Sequence, residues 1–274
     1  MDLNKYPLVS IIIPYYNHNN FIKKTLDSIY EEDYPNKEII IINDGSTNLD
    51  DTNITNWIKE HTDINIDYIK RENKGVTKTL NELITLSKGK YILPCASDDY
   101  LINNTLKDRV KTLQTSSSKM LLNDNIVVND DDKLLYESNL FSMRKGKRDY
   151  YKNSFFMKIE IIKRWGFAGA CCLIEKSFYD EIGNYDESLI VEDWDFFLRA
   201  VSTNKVKFYD KLPASAYRIH CDNTIKNKQK QKAMLESLAL SAKKNISNFS
   251  CLYFKFLLWK KYKKTSNKIK KEFL

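Results

Sequence analysis

Leu8 to Ile13 is almost continuously apolar and β-branched, the pattern of a parallel strand buried on both faces. It runs into Pro14 and a polar stretch from Tyr15 to Asn20, where Asn19 or Asn20 suits a helix start. Ile22, Leu26, Ile29 and Tyr30 then recur at i, i+4, i+7 and i+8, predicting a helix that stops at the Tyr34-Pro35 break. Glu38 to Asn43 repeats the buried-strand signature and passes straight into the turn sequence Asp44-Gly45-Ser46. A strand near Ile66 to Ile69, a helix from about Val76 to Leu86 and a strand at Tyr91-Ile92-Leu93 continue the alternation. Repeated βα units of this kind imply an α/β fold, a mainly parallel sheet with helices on both faces and ligands at the carboxyl ends of the strands. Polar sequence follows each such end: Tyr15 to Asn20, Asp44 to Asp51, Arg71 to Gly75 and Ser97 to Asp99.

After about residue 105 this rhythm is lost. Ile126-Val127-Val128, a polar Asn129 to Asp132 and Leu134-Leu135-Tyr136 predict a hairpin, and Tyr150 to Trp165 mixes aromatic and basic residues. An antiparallel edge with mobile loops is expected there. From Ile225 onward the composition is helical, and Phe249 to Trp259 is a dense aromatic and aliphatic patch followed by Lys260, Lys261, Lys263 and Lys264. The expected organisation is two halves of one domain (1–105 and 106–222) and a helical, basic C-terminal extension (223–274).

Charge sharpens this division. The net charge is +8, but residues 225–274 hold 14 Lys, no Arg and 2 Glu, giving +12 and leaving −4 for residues 1–224. Lysines without arginine or a recognised motif are a poor basis for nucleic-acid readout, so no nucleic-acid partner is expected. With 42% hydrophobic and 12% aromatic residues the chain should fold. No apolar run of about 18 residues and no apolar N-terminal segment is present, so neither a membrane span nor secretion is expected. Five cysteines without a C-x-x-C pair fit a reduced, cytoplasmic compartment.

Three acidic features suit chemistry. Asp44, at the end of the second strand, can accept hydrogen bonds from a nucleoside or serve as a turn residue bonded to its own backbone. Ser97-Asp98-Asp99 offers hard oxygen donors for a divalent cation on a diphosphate, or ordinary capping and turn chemistry. In Glu192-Asp193-Trp194-Asp195-Phe196-Phe197-Leu198-Arg199, the apolar stripe Trp194, Phe197, Leu198 and Val201 marks a helix, and Asp195 can pair with Arg199. Asp193 lies off the stripe in the first turn, where a carboxylate can either complement the dipole or reach a substrate hydroxyl.

Together these segments resemble glycosyltransferase family 2, the inverting enzymes with a GT-A fold. VSIIIPYYNHNNFIKKTLDSI and EIIIINDGSTN resemble its nucleotide-binding start, RENKGVTKTLNELI its N-x-G-V helix segment, and GKYILPCASDDY its metal loop. GFAGACCLIEKSFYDEIGNYDESLIVEDWDFFLRA resembles its glycine loop and catalytic helix, and YRIH its C-terminal metal-ligand histidine. The resemblance implies that Pro14, Tyr15 and Asn17 line the base pocket and that Asp44 binds the uracil or ribose of a UDP-sugar. It also implies that Asn73, Gly75, Lys78, Ser97 and Asp99 contact the donor, that Asp98 and His220 hold Mn²⁺ or Mg²⁺, and that Asp193 is the general base. The expected partners are a nucleotide-sugar donor and a glycan or lipid-linked glycan acceptor of surface polysaccharide synthesis.

Two departures stand out. Ala96 occupies the first position of the family's D-x-D-D loop, which implies either weaker metal affinity or compensation by Asp99, and Leu80 stands where an Arg often precedes Asn81. Adjacent Cys171 and Cys172 read as packing residues rather than nucleophiles. Trp165, Tyr150 and Tyr151 suit either a sugar ring or the core. The C-terminal patch suits an interfacial helix on an anionic membrane, a homodimer contact, or packing onto the catalytic domain. The rival readings are a nucleotidyltransferase, which would need a Gly- and Lys/Arg-rich triphosphate loop that Pro14 to Asn20 lacks, and an inactive nucleotide-sugar-binding scaffold, which Ala96 alone suggests.

Overall fold

The computed structural model describes residues 5–47, 51–164, 166, 170–220 and 231–273. The expected βα alternation is present: β1 (Val9–Tyr15), α1 (Asn19–Glu31), β2 (Lys37–Asp44), α2 (Thr52–Glu60), β3 (Asn65–Arg71), α3 (Val76–Leu86) and β4 (Tyr91–Pro94). There follow β5 (Tyr100–Leu101), α4 (Leu106–Gln114), β6 (Met120–Leu122), β7 (Asn125–Val128), β8 (Leu134–Tyr136), α5 (Arg148–Tyr151) and α6 (Ser154–Lys163). The chain continues through β9 (Cys172–Glu175), α7 (Ser177–Ile182), α8 (Glu192–Ser202), β10 (Val206–Phe208), β11 (Ser215–Arg218), α9 (Gln231–Lys244) and α10 (Leu252–Phe273).

Seven strands form the main sheet in the order β10-β6-β9-β4-β1-β2-β3. Its β4-β1-β2-β3 portion is parallel, with Ile11 opposite Ile39 and Leu93. The second half of the chain extends the same sheet, because β9 inserts antiparallel between β4 and β6. The expected hairpin exists, β7 pairing antiparallel with β8, but it lies in a smaller sheet of order β5-β11-β7-β8, where β7 also runs parallel to β11.

Strand alternation sorts the core onto the two faces of the sheet. Ile11, Ile13, Ile39, Ile41 and Leu93 pack with Ile22, Leu26 and Ile29 of α1 and with Trp57 of α2. Ile12, Ile40, Ile42 and Ile92 pack on the other side with Leu83 of α3, Ile161 of α6 and Trp194 of α8. Both faces are covered, which is why β1 and β2 read as unbroken apolar runs. β3 is the edge, and it alternates accordingly, with Asn65, Asp67 and Lys70 outward.

The C-terminal helices are packed onto this body. Phe249, Phe254 and Leu258 join the core on the α6/α8 side, and Asn245 Nδ2 donates to Asp195 Oδ1 of α8 at 2.8 Å. The patch from Phe249 to Trp259 therefore divides: those residues are buried, whereas Leu252, Phe256 and Trp259 are 79%, 53% and 47% exposed. Tyr151 is likewise a core residue, against Phe141 and Phe208, and Tyr150 lies over Phe156. Trp165, Gly169 and Cys221 lie outside the described residues.

Candidate active site

Because β1, β2 and β4 are parallel neighbours, the loops after them meet along one edge of the sheet. The loop after β1 turns at Asn17, whose φ of +57° is left-handed, a region that asparagine tolerates. The Asn17 N–H donates to Ser46 Oγ at 3.0 Å, and Asn17 Oδ1 accepts from the Thr47 N–H at 2.9 Å, stitching this loop to the one after β2.

Asp44, at the end of β2, is enclosed by protein. Its Oδ1 accepts from the Lys74 N–H at 2.7 Å and its Oδ2 from the Gly75 N–H at 2.9 Å, and Arg71 forms an ion pair with it. Asn73 Nδ2 donates to the Asp44 carbonyl at 2.7 Å. Gly45 is required here: at φ +69° a Cβ would lie 2.5 Å from the Asn73 nitrogen. Asp44, Asn73 and Gly75 are thus brought together, with the carboxylate directed at the Asn73–Gly75 turn. Lys78 is exposed on α3 and makes no ion pair among the described residues. Pro14 lines the central cavity, while Tyr15 turns into the core.

The acidic loop after β4 separates its two carboxylates. Asp99 is buried and accepts from the Arg218 N–H at 2.8 Å, and burial together with the Asp98 charge pushes its carboxyl well above the usual range. Asp98 faces the histidines: His220 Nε2 is 3.0 Å from its Oδ2, and His18 Nδ1 is 3.9 Å from its Oδ1. Burial opposes its ionisation, but the bond to His220 and the proximity of His18 outweigh this and hold its carboxyl below the ordinary value. One potential ligand atom from each of His18, Asp98 and His220 lies within 4.8 Å of the others. Two imidazole nitrogens and a carboxylate oxygen are a fitting donor set for a divalent cation. Ser97 belongs to the same group, its Oγ lying 2.8 Å from His18 Nδ1. Asp99 is not in the cluster, so it does not replace the carboxylate absent at Ala96.

His18 is the member of the cluster that the sequence did not single out. The available signal was its place directly after β1 in a parallel sheet, beside whichever strand carries the acidic loop. Asp98 and His220 meet for a related reason: β5, immediately after Asp99, pairs antiparallel with β11, which ends two residues before His220.

Asp193 stands at the start of α8, with its Oδ1 accepting from the Trp194 N–H at 2.7 Å. It lines an open cavity of about 160 Å³ with Pro14, Leu80, Ala96, Cys172 and Glu192. Burial pushes the Glu192 carboxyl up to about 7. The segment leading to α8 is tethered from two sides. Asn81 of α3 donates to the Tyr185 carbonyl at 3.0 Å and accepts from the Tyr185 N–H at 3.0 Å, and the Val191 N–H donates to Ser237 Oγ of α9 at 3.0 Å. Asn81 is thus a clamp on this segment, and Leu80 beside it faces the cavity. Asp195 pairs with Arg199 at 2.9 Å as the spacing predicts. Cys171 is buried, and burial pushes its thiol well up, which disfavours the thiolate that nucleophilic chemistry needs.

Comparison with known proteins agrees with this architecture. The chain is 28% identical over 222 residues to an uncharacterized glycosyltransferase of Rickettsia bellii, covering 79% of this chain and 30% of that protein. It is 28% identical over 235 residues to a chondroitin synthase of Pasteurella multocida, covering 84% of this chain and 22% of that protein. It therefore spans less than a third of the length of either relative. The crystal structure of S. aureus TarS 1-349 in complex with UDP-GlcNAc superposes with a TM-score of 0.71 at 19% identity, over 91% of this chain and 70% of that one, and the fold is GT-A. The glycosyl transferase family 2 profile matches from the first strand to the turn after α7, residues 10–183, which is well over half of the 274 residues, and the chain belongs to that family.

Proposed function

We propose that this chain transfers a sugar from a nucleotide sugar, UDP-linked, to a hydroxyl of a glycan or lipid-linked glycan, inverting the anomeric centre, in surface polysaccharide synthesis. The observation that carries the reading is the placement of a cation-ligating cluster and a cavity-lining carboxylate on one edge of a GT-A sheet. Asp98 and His220 are the residues to hold Mn²⁺ or Mg²⁺. When bound, the cation neutralises charge developing on the departing nucleoside diphosphate. The turn held by Asp44 presents Asn73 and Gly75 to the donor, and Pro14 borders the cavity. Asp193 takes the proton of the acceptor hydroxyl as that oxygen attacks the anomeric carbon and the sugar–phosphate bond breaks. Tethering of the Tyr185–Val191 segment fixes the base, and such positioning is a large part of the acceleration.

The C-terminal helix supports a membrane-facing role. Leu252, Phe256 and Trp259 recur at i, i+4 and i+7 on its exposed side, and Lys255, Lys260 and Lys263 flank them. This is the character of a helix resting on anionic lipid, where a lipid-linked acceptor would reside. The described cysteines, Cys95, Cys171, Cys172 and Cys251, are all free, in keeping with a reducing, cytoplasmic setting.

The direct test is Asp193→Asn assayed with a donor and acceptor panel. Transfer should fall by at least about 10³-fold, since it is the sole base in the reading, while UDP affinity stays within about twofold. Undiminished turnover in this variant overturns the assignment of the base.

A further inference from the structure

We propose that His18 is a cation ligand taking over from the carboxylate missing at Ala96. The inference rests on the nucleotide-sugar reading of the site and deepens it.

Three observations converge. First, the acidic loop offers the cluster only Asp98: position 96 is an alanine, and Asp99 turns inward to the Arg218 N–H. Second, a side chain from the loop after β1 reaches Asp98. His18 Nδ1 lies 3.9 Å from Asp98 Oδ1, and the His18 and His220 rings meet edge to face at 5.4 Å. An ion with bonds of about 2.1 Å separates two ligands by about 3.0 Å at a right angle and about 4.2 Å when opposed. The separations from Asp98 fall in that interval, 3.0 Å from its Oδ2 to His220 Nε2 and 3.9 Å from its Oδ1 to His18 Nδ1, so an ion between the two rings would meet both carboxylate oxygens. Third, His18 is held in place. Its carbonyl accepts the Phe21 and Ile22 N–H groups at the start of α1, Asn17 anchors the preceding turn to Ser46 and Thr47, and Ser97 Oγ meets the ring nitrogen at 2.8 Å. The Ser97 hydroxyl must turn aside when that nitrogen takes an ion.

The test is Mn²⁺ titration of the full chain, followed by the electron paramagnetic resonance signal of free Mn²⁺, with and without UDP. His18→Ala and the milder His18→Asn should each weaken Mn²⁺ binding at least about tenfold. Ala96→Asp combined with His18→Ala should restore affinity. Unchanged Mn²⁺ affinity in folded His18→Asn overturns the proposal. If binding depends on His18 but no nucleotide sugar is turned over, the site stands and the transferase reading falls. If transfer persists while Mn²⁺ binding ignores His18, only the ligand assignment fails.

Discussion

Asp44→Asn separates the two roles open to the residue at the end of β2. The carboxylate receives two backbone N–H groups and an arginine. Asparagine keeps one carbonyl oxygen and places an NH₂ where the other stood, so at least one of these donors faces a donor instead of an acceptor. Losing a partner from a buried ion pair costs about 3–5 kcal/mol. Arg71 keeps Glu82 at 2.9 Å and Thr79 at 2.8 Å, which reduces the expected cost to about 2–3 kcal/mol. At about 2–4 °C per kcal/mol for a chain of this size, Tm falls by about 4–12 °C. UDP affinity should drop as well, since the Asn73–Gly75 turn loses its anchor, and Arg71→Met should reproduce part of the loss in Tm. Differential scanning calorimetry with parallel UDP titration reads both quantities. An unchanged Tm with abolished UDP binding would refute the reasoning, because the carboxylate would then face the nucleotide rather than the turn.

Glu192 makes stability pH-dependent: with its folded pKa near 7 and an ordinary value of 4.5, it stabilises fully below about pH 4.5, and the contribution is lost as pH rises to 7. Glu192→Gln should therefore flatten the decline in urea-unfolding free energy between pH 5 and 8 by about 1–2 kcal/mol relative to wild type; parallel profiles would contradict this. Asn81→Ala leaves the Tyr185 N–H and carbonyl without their partner, costing about 2 kcal/mol in chemical denaturation, and should lower kcat more than it raises KM for the donor; a pure KM effect would argue against a positioning role. Phe256→Ser with Trp259→Ser, both on the exposed side of α10, should abolish sedimentation with phosphatidylglycerol vesicles while leaving Tm within about 2 °C, as expected for solvent-facing positions. Persistent sedimentation would return the patch to a structural role, and a loss of dimer mass in ultracentrifugation would assign it to a second copy.

The first half of the fold was legible because parallel strands covered on both sides leave continuous Ile and Val runs, and β1, β2, β3, α3 and β4 appear where the pattern places them. α2 escaped notice because only Ile54 and Trp57 of its nine residues are buried. α4 buries Leu106, Val110 and Leu113 at helical spacing, but Arg109 is buried with them and breaks the apolar signature. β6 and β10 are three residues each, and β9 is four; such lengths carry too little periodicity to place a strand, still less an antiparallel insertion. In the site, Asp98 and His220 were found through their surrounding motifs. His18 was not, since its partner lies 80 residues away and only the pairing of β1 with β4 brings them together. The tail's composition showed an apolar patch beside lysines, but which of its residues face the core depends on α9 docking against α8 through Asn245 and Ser237.

The central claim is that this edge of the sheet binds a nucleotide through a protein-held cation. Isothermal titration of the full chain with UDP, GDP and CMP, each with Mn²⁺ and then with excess chelator, tests it. The account predicts that UDP binds in the presence of Mn²⁺ and that the chelator, or Asp98→Ala, reduces its affinity at least about tenfold. Equal UDP binding with and without the cation, or no binding of any nucleotide, would contradict it.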